Sequence, residues 1–205
     1  MINKPNNWDS VQAAQERVKL PAGGYVVKIM GAKVAQYSNN EGQTFEKLEM
    51  ALDIIEGEYK DFYEKDFKLQ NTEDKKWKGV LKQYIFKDDG TEKDEWTKSQ
   101  FKAMTDAIED SNNGYHWDWD ESKLKGKIVG CLFRLEEWSV NGKKGWKAQP
   151  FKFIPVDDAR NENFKVPKFK PHRDYPNDTP DDEVKTQGQS MQFEPIEEDD
   201  GDLPF

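Results

Sequence analysis

The sequence predicts a mainly β fold: five strands, one helix between the third and fourth of them, and a polar C-terminal extension. Three observations predict it. Apolar and polar residues alternate with period two over two long stretches early in the chain. An Asn-Gly turn near residue 141 separates two further strand-like stretches, and a single run between the two pairs has helical spacing.

The first strand is read over Gly24 to Tyr37, where Val26, Ile29, Val34 and Tyr37 alternate with polar residues and Gly31 marks a bulge and a bend. Ser38 to Gly42 is dense in turn formers. Phe45, Leu48, Met50, Leu52 and Ile54 then restart the alternation as far as the Glu56-Gly57-Glu58 break, so the two stretches form a long hairpin. Tyr59 to Leu69 is a less regular aromatic segment, and Trp77 to Phe86 is the third strand. Thr91-Glu92-Lys93-Asp94 resembles a capping box. Trp96, Phe101, Met104, Ala107 and Ile108 follow at helical spacing until Asn112, Asn113 and Gly114 stop the run. Lys127 to Trp138 and Gly145 to Val156 are the last two strands, flanking the turn signal Asn141-Gly142-Lys143-Lys144-Gly145. Phe133, Leu135, Phe153 and Ile154 are assigned to the core. Strand, strand, strand, helix, strand, strand is the order of the OB-fold, so the expectation is a five-stranded OB-fold-like barrel whose sheet face and loops bind oligonucleotides or oligosaccharides.

Composition divides the chain in two. Residues 1–160 hold 26 Lys and Arg against 28 Asp and Glu, a net of −2, whereas residues 161–205 hold 5 against 12, a net of −7. The overall charge of −9 is therefore mostly a property of the end of the chain, and the nearly neutral body can still carry a basic stripe for phosphates. Residues 1–160 are read as the binding domain. Residues 161–205, interrupted by Pro167, Pro171, Pro176, Pro180 and Pro195, are read as a flexible extension, basic at first and acidic beyond Asp174. Hydrophobic content is only 35% while aromatics reach 13%, so large rings build the core and a surplus is left for the surface. The single cysteine, Cys131, allows no intrachain disulfide and fits a reducing cytoplasm; no apolar run approaches the roughly 18 residues that span a bilayer.

Gripping a single strand without sequence preference needs aromatic faces for the bases and spaced cations for the backbone. Three stretches interleave the two. Lys76, Trp77 and Lys78, with Lys82 and Tyr84, place an indole among lysines at the start of the third strand. Trp138, Lys143, Lys144, Trp146 and Lys147 do so around the last hairpin, and Phe62 with Lys65 form a looser version in the middle. Trp77 and Trp146 are the leading candidates, since each sits beside a glycine or among cations rather than inside an apolar run.

The last nine residues, Glu197 to Phe205 (EEDDGDLPF), contain five acids and end in Leu203, Pro204 and Phe205. Such a segment cannot bury enough surface to fold alone; it suits a hook in which acids steer and a terminal ring fills a pocket. This ending resembles that of phage and bacterial single-stranded DNA-binding proteins, whose acidic tails finish on a terminal Phe. The resemblance implies that the body coats single-stranded DNA, that Asp199, Asp200, Asp202, Leu203, Pro204 and Phe205 dock replication and recombination proteins, and that no reaction is catalysed. It also implies action in the bacterial cytoplasm without cofactor or metal, and it leaves the oligomeric state open. Two other classes stand beside it. An acidic DNA mimic would need its acids on a rigid face, yet here they concentrate in the extension. A metal-dependent nuclease would need a converging ligand set, yet the chain has two histidines, His116 and His172, and Asp118 and Asp120 have no second cluster to complete a shell.

Overall fold

One long strand, β1 (Gly23–Ser38), organises the sheet because it carries two ladders. Its first half, Gly23 to Lys28, pairs antiparallel with β4 (Ile128–Val140), and from Val27 to Ser38 it pairs antiparallel with β2 (Thr44–Ile54). The register slips between Ile29 and Gly31, leaving Met30 as the extra residue of a bulge, where the sequence places the bend. β3 (Val80–Tyr84) adds to β2, and β5 (Lys143–Ile154) adds to β4, giving the order β3-β2-β1-β4-β5. These relations come from a computed structural model that describes residues 3–6, 8–10, 18–39 and 41–180 of the 205-residue chain.

Among the described residues the fold is mainly β, a five-stranded antiparallel sheet with three α-helices: α1 (Phe62–Lys68), α2 (Glu92–Ser111) and α3 (Val156–Arg160). The sequence reading expects a barrel, whereas this sheet is open. β3 and β5 are its edges, and they come within 8 Å between Cα atoms without sharing a ladder. Among the described residues no helix is long and apolar enough to cross a membrane.

The core lies between one face of the sheet and α2. Val27 and Ile29 of β1, Leu48, Met50, Leu52 and Ile54 of β2, Leu81 of β3, and Val129, Cys131, Phe133 and Leu135 of β4 meet Phe101, Met104, Ala107 and Ile108 of the helix. Phe133, Leu135 and Phe153 lie in this core as read. Ile154 joins a smaller cluster with Val26, Val156 and Ala159. α2 starts where its sequence predicts, with the Thr91 hydroxyl accepting from the Asp94 N–H at 3.2 Å. Asp94 does not close a reciprocal box. Its buried carboxylate accepts from the backbone N–H groups of Lys87 and Asp89, and so fixes the loop that enters the helix.

Several expectations change in detail. The aromatic segment after β2 is the helix α1, because the buried Asp53 carboxylate accepts from the N–H groups of Tyr63 and Glu64 and caps its first turn. The third strand begins at Val80, so Trp77 precedes it. Asn141 (φ 51°) and Gly142 (φ 75°) alone make the last hairpin turn, in the left-handed conformations that a two-residue turn of this kind requires, so Lys143, Lys144 and Gly145 belong to β5. Residues 161–180, read from the sequence as the start of a free extension, lie back on the body. The Lys170 N–H donates to Leu135 O and the Glu137 N–H to Lys170 O, while Pro180 is fully buried. Lys165 to Arg173, the basic part of that segment, therefore runs beside the end of β4.

Gly130 of β4 meets α3 with no room to spare, since a Cβ there would lie 2.8 Å from the Pro155 carbonyl oxygen and 2.9 Å from the Ala159 Cβ. Backbone cannot yield as a flexible side chain does. Gly130→Ala is expected to lower stability by about 1–3 kcal/mol in a urea titration, and an unchanged midpoint would contradict the described packing of α3 on β4.

Candidate nucleic-acid interface

Register decides which side chains share a face. In the hairpin of β1 and β2, Tyr37 lies opposite Phe45, Ala35 opposite Lys47 and Lys33 opposite Glu49. On β3, Tyr84 lies opposite Lys47 and Lys82 opposite Glu49. Leu48 and Met50 point into the core, so these alternate residues all point the other way, onto the solvent face of three adjacent strands.

There they form a ladder of rings and cations. Tyr37 and Phe45 stack with centroids 5.7 Å apart and planes 10° from parallel, and Phe45 and Tyr84 are 5.4 Å apart at 40°. Lys47 Nζ stands over the Tyr84 ring at 3.9 Å and near the Tyr37 and Phe45 rings at 5.4 and 5.5 Å, while Lys82 Nζ lies 5.0 Å from the Tyr37 centroid. Cations seated on ring faces hold the platform together while keeping positive charge at its surface.

Glu49 balances that charge. The Tyr37 hydroxyl donates to Glu49 Oε1, Lys82 Nζ donates to the Tyr37 oxygen at 2.6 Å and pairs with Glu49 at 2.9 Å, and Lys33 pairs with its other oxygen at 3.4 Å. The hydrogen bond from Tyr37, followed by that from Lys82, pulls the Glu49 carboxyl down from its ordinary 4.5 to about 2. Lys82 is raised in turn, first by its bond to Tyr37. One carboxylate thus orients a tyrosine and two lysines on a face that otherwise gathers positive charge.

Of the residues nominated from the sequence, Lys82 and Tyr84 belong to this ladder. Trp77 does not. Its indole N–H donates to Leu52 O at 2.9 Å and its ring leans on Phe67 at 5.8 Å, so it is a half-buried wedge between β2 and α1. Lys76 is exposed beside it, and Lys78 pairs with Asp66 at 2.9 Å. Phe62 packs edge-on against Tyr63 within α1, and Lys65 Nζ donates to Lys60 O at 2.7 Å. The structure thus separates Trp77 and the α1 residues from Lys82 and Tyr84, which the sequence reading groups with Trp77.

The last hairpin splits in the same way. Trp138 faces Gly145, and its indole lies so close that a Cβ on Gly145 would fall 3.1 Å from the ring. Because β5 alternates, Lys143 and Lys147 share the outward face of Trp138, whereas Lys144 and Trp146 occupy the other face. That second face is covered by the returning segment. Phe169 meets Trp146 edge-on at 5.5 Å, the Tyr175 ring lies 4.7 Å under Lys144 Nζ, and Lys144 pairs with Asp178. The two hairpin tryptophans therefore cannot form one stacking surface, and Trp138 with Lys143 and Lys147 is the pair of cations and indole left toward solvent.

Tyr37 and Phe45, which the sequence reading places among the apolar residues of the first two strands, and Lys47 are missing from its binding residues. The signal was present in the odd positions of the hairpin, which carry rings and charges on both sides of the turn while the even positions of the second strand carry the core.

The connector after α2 holds a second aromatic cluster. Trp119, 69% exposed and with φ 69°, lies parallel to Phe101 at 6.3 Å and edge-on to Phe86 at 6.2 Å. Asp118 and Asp120, weighed as metal ligands from the sequence, both pair with Lys123. Among the described residues Asp53, Asp61 and Glu64 are the acids close enough together to hold a cation. The Asp53 carboxylate already accepts N–H groups from Ile54, Tyr63 and Glu64, which accounts for its place as a helix cap. Asp199, Asp200, Asp202, Leu203, Pro204 and Phe205 lie outside the described residues. No protein-family model matches the chain, and no curated protein matches it significantly.

Glu49 makes a pH prediction. Its folded pKa is depressed, so its contribution to stability is complete above its ordinary 4.5 and is lost as pH falls from there toward 2. The fall in urea midpoint across that window is expected to be smaller in Glu49→Gln than in the parent chain; equal falls would mean that the carboxylate is not held by Tyr37 and Lys82.

Proposed function

We propose that this chain is a single-stranded DNA-binding protein of phage replication or recombination. It coats unpaired DNA through the outer face of β1, β2 and β3 and recruits partner proteins through its acidic C-terminus. The ladder of Tyr37, Phe45 and Tyr84 with Lys47 and Lys82 carries the reading. It offers adjacent π-faces and cations on one solvent-facing surface, as stacking of bases and pairing of phosphates demand.

Its place in the fold supports the same reading. An OB-fold is a partly open five-stranded barrel that binds oligonucleotides on the face of its second and third strands and with the loops after its first and fourth strands. Here the ladder covers β2, β3 and the end of β1, a helix separates the third strand from the fourth, and the open edges β3 and β5 approach each other. The outward face of the last hairpin, with Trp138, Lys143 and Lys147, extends the surface on the far side of that gap. In this reading the protein works in the bacterial cytoplasm and performs no chemistry of its own. Asp199 to Phe205 would dock polymerase, primase, helicase or recombinase, as the tail's resemblance implies.

Titration with oligo-dT is expected to quench the intrinsic fluorescence, with affinity that falls as salt rises. Each lost stacking contact costs about 1–3 kcal/mol, so the double substitution Tyr37→Ala/Tyr84→Ala should weaken binding by at least about fivefold per ring, whereas Trp77→Phe should leave it near the parent value. Binding by the double variant equal to that of the parent chain would overturn the assignment of the surface.

A further inference from the structure

At the end of the ladder the sheet opens into a half-open cavity between the β1–β2 turn and the start of α2. Phe45 and Tyr84 belong to both features: they carry the ladder and line the cavity. The far wall is Phe86, itself braced edge-on by Phe101 at 5.6 Å and by Trp119 at 6.2 Å. This wall cannot swing away without disturbing the aromatic cluster behind it.

Polar groups line both the floor and the rim of the cavity. Asp94, at the floor, is consumed by the loop it fixes, accepting from the Lys87 N–H at 2.6 Å and the Asp89 N–H at 3.2 Å. At the rim, Asn39 Oδ1 accepts from the N–H groups of Glu41 and Gln43, and its amide nitrogen donates to Gln43 Oε1 at 3.2 Å. The Gln43 side-chain amide is thereby held by its carbonyl end at the mouth, where it lines the cavity with its exposed neighbour Thr44. Aromatic walls and a tethered amide at the rim suit a flat heterocycle with a hydrogen-bonding edge, because the rings supply stacking and the amide both a donor and an acceptor.

Resting on the reading of the ladder as a single-strand surface, we propose that this cavity receives one nucleobase of the bound strand, with its edge read by Gln43. A strand running along Tyr37, Phe45 and Tyr84 leaves the ladder at Phe45 and Tyr84, which are also the cavity's near wall. The next base has the cavity before it. Exposed Lys87 at the mouth stands where the phosphate following that base would pass. A stacking ladder treats all bases alike, so this cavity gives the surface a preference among them.

The test compares short homopolymers of dT, dA and dC on the full chain, by anisotropy at low salt, with Thr44→Phe to fill the cavity and Gln43→Ala to remove the reading group. The parent chain is expected to separate the best homopolymer from the worst by roughly five- to tenfold, the scale of one good base contact. Both variants should shrink that spread to less than about twofold while the worst-bound homopolymer keeps its affinity. Photocrosslinking with a 5-iodouracil strand should mark Phe86. Equal binding of the three homopolymers by the parent chain, or a spread unchanged in both variants, overturns the cavity while leaving the ladder standing. Absence of binding to any homopolymer overturns both, and so tells the two failures apart.

Discussion

The double pairing of β1 is the constraint on which the rest depends. A strand that pairs with β4 through its first half and with β2 through its second must turn between them, and the bulge at Met30 supplies the turn. Beyond the bulge β1 shares a ladder with β2 alone, and β3 flanks that hairpin on its other side, so the three strands present one common outer face. Inverting the inner and outer faces would take only a one-residue slip, and the row of Leu48, Met50, Leu52 and Ile54 forbids it, since a slip would carry those buried side chains into water. The register that builds the core is therefore the register that lines up Tyr37, Phe45 and Tyr84.

That face carries an internal compromise. Tyrosine rings and lysines gather on one face, yet adjacent lysines repel, and a tyrosine hydroxyl at the rim needs a partner. Glu49 resolves both at once by accepting from Tyr37 and pairing with Lys82 and Lys33. Lys82 and Lys33 are largely exposed to water, so each ion pair contributes little to stability. Their value lies in orientation: the pair with Glu49 holds Lys82 beside the Tyr37 ring, and in the proposed function these cations pass to phosphates.

Much of the fold was legible from local pattern. The period-two alternation around Ser38 to Gly42, the helical spacing from Trp96 to Ile108 and the Asn141-Gly142 turn each encode their element within a few residues, and each lies where the sequence puts it. What could not be read depends on contacts distant in sequence. α1 is capped by Asp53, on a preceding strand, whereas its own N-cap residue Asp61 makes no side-chain cap. Trp77 looked exposed because lysines surround it, but lysine stems tolerate a half-buried neighbour and the indole N–H found a carbonyl on β2. Residues 161–180 read as loose for want of an apolar period, while their anchoring is a few single contacts: Phe169 on Trp146, Lys170 on the edge of β4 and a buried Pro180. Of the nominated site, Lys82 and Tyr84 fall on the ladder because alternation within one strand sufficed to place them. The other half of the ladder required folding the first hairpin in register.

In the proposed function, bases stack on the outer face of the first three strands. Following backbone amide resonances of the full chain during titration with oligo-dT tests this most directly. The largest shifts are expected to cluster at Lys33 to Tyr37, Phe45 to Glu49 and Lys82 to Tyr84. Shifts centred instead on Trp77 and α1, or none in the first three strands at saturating oligonucleotide, would contradict it.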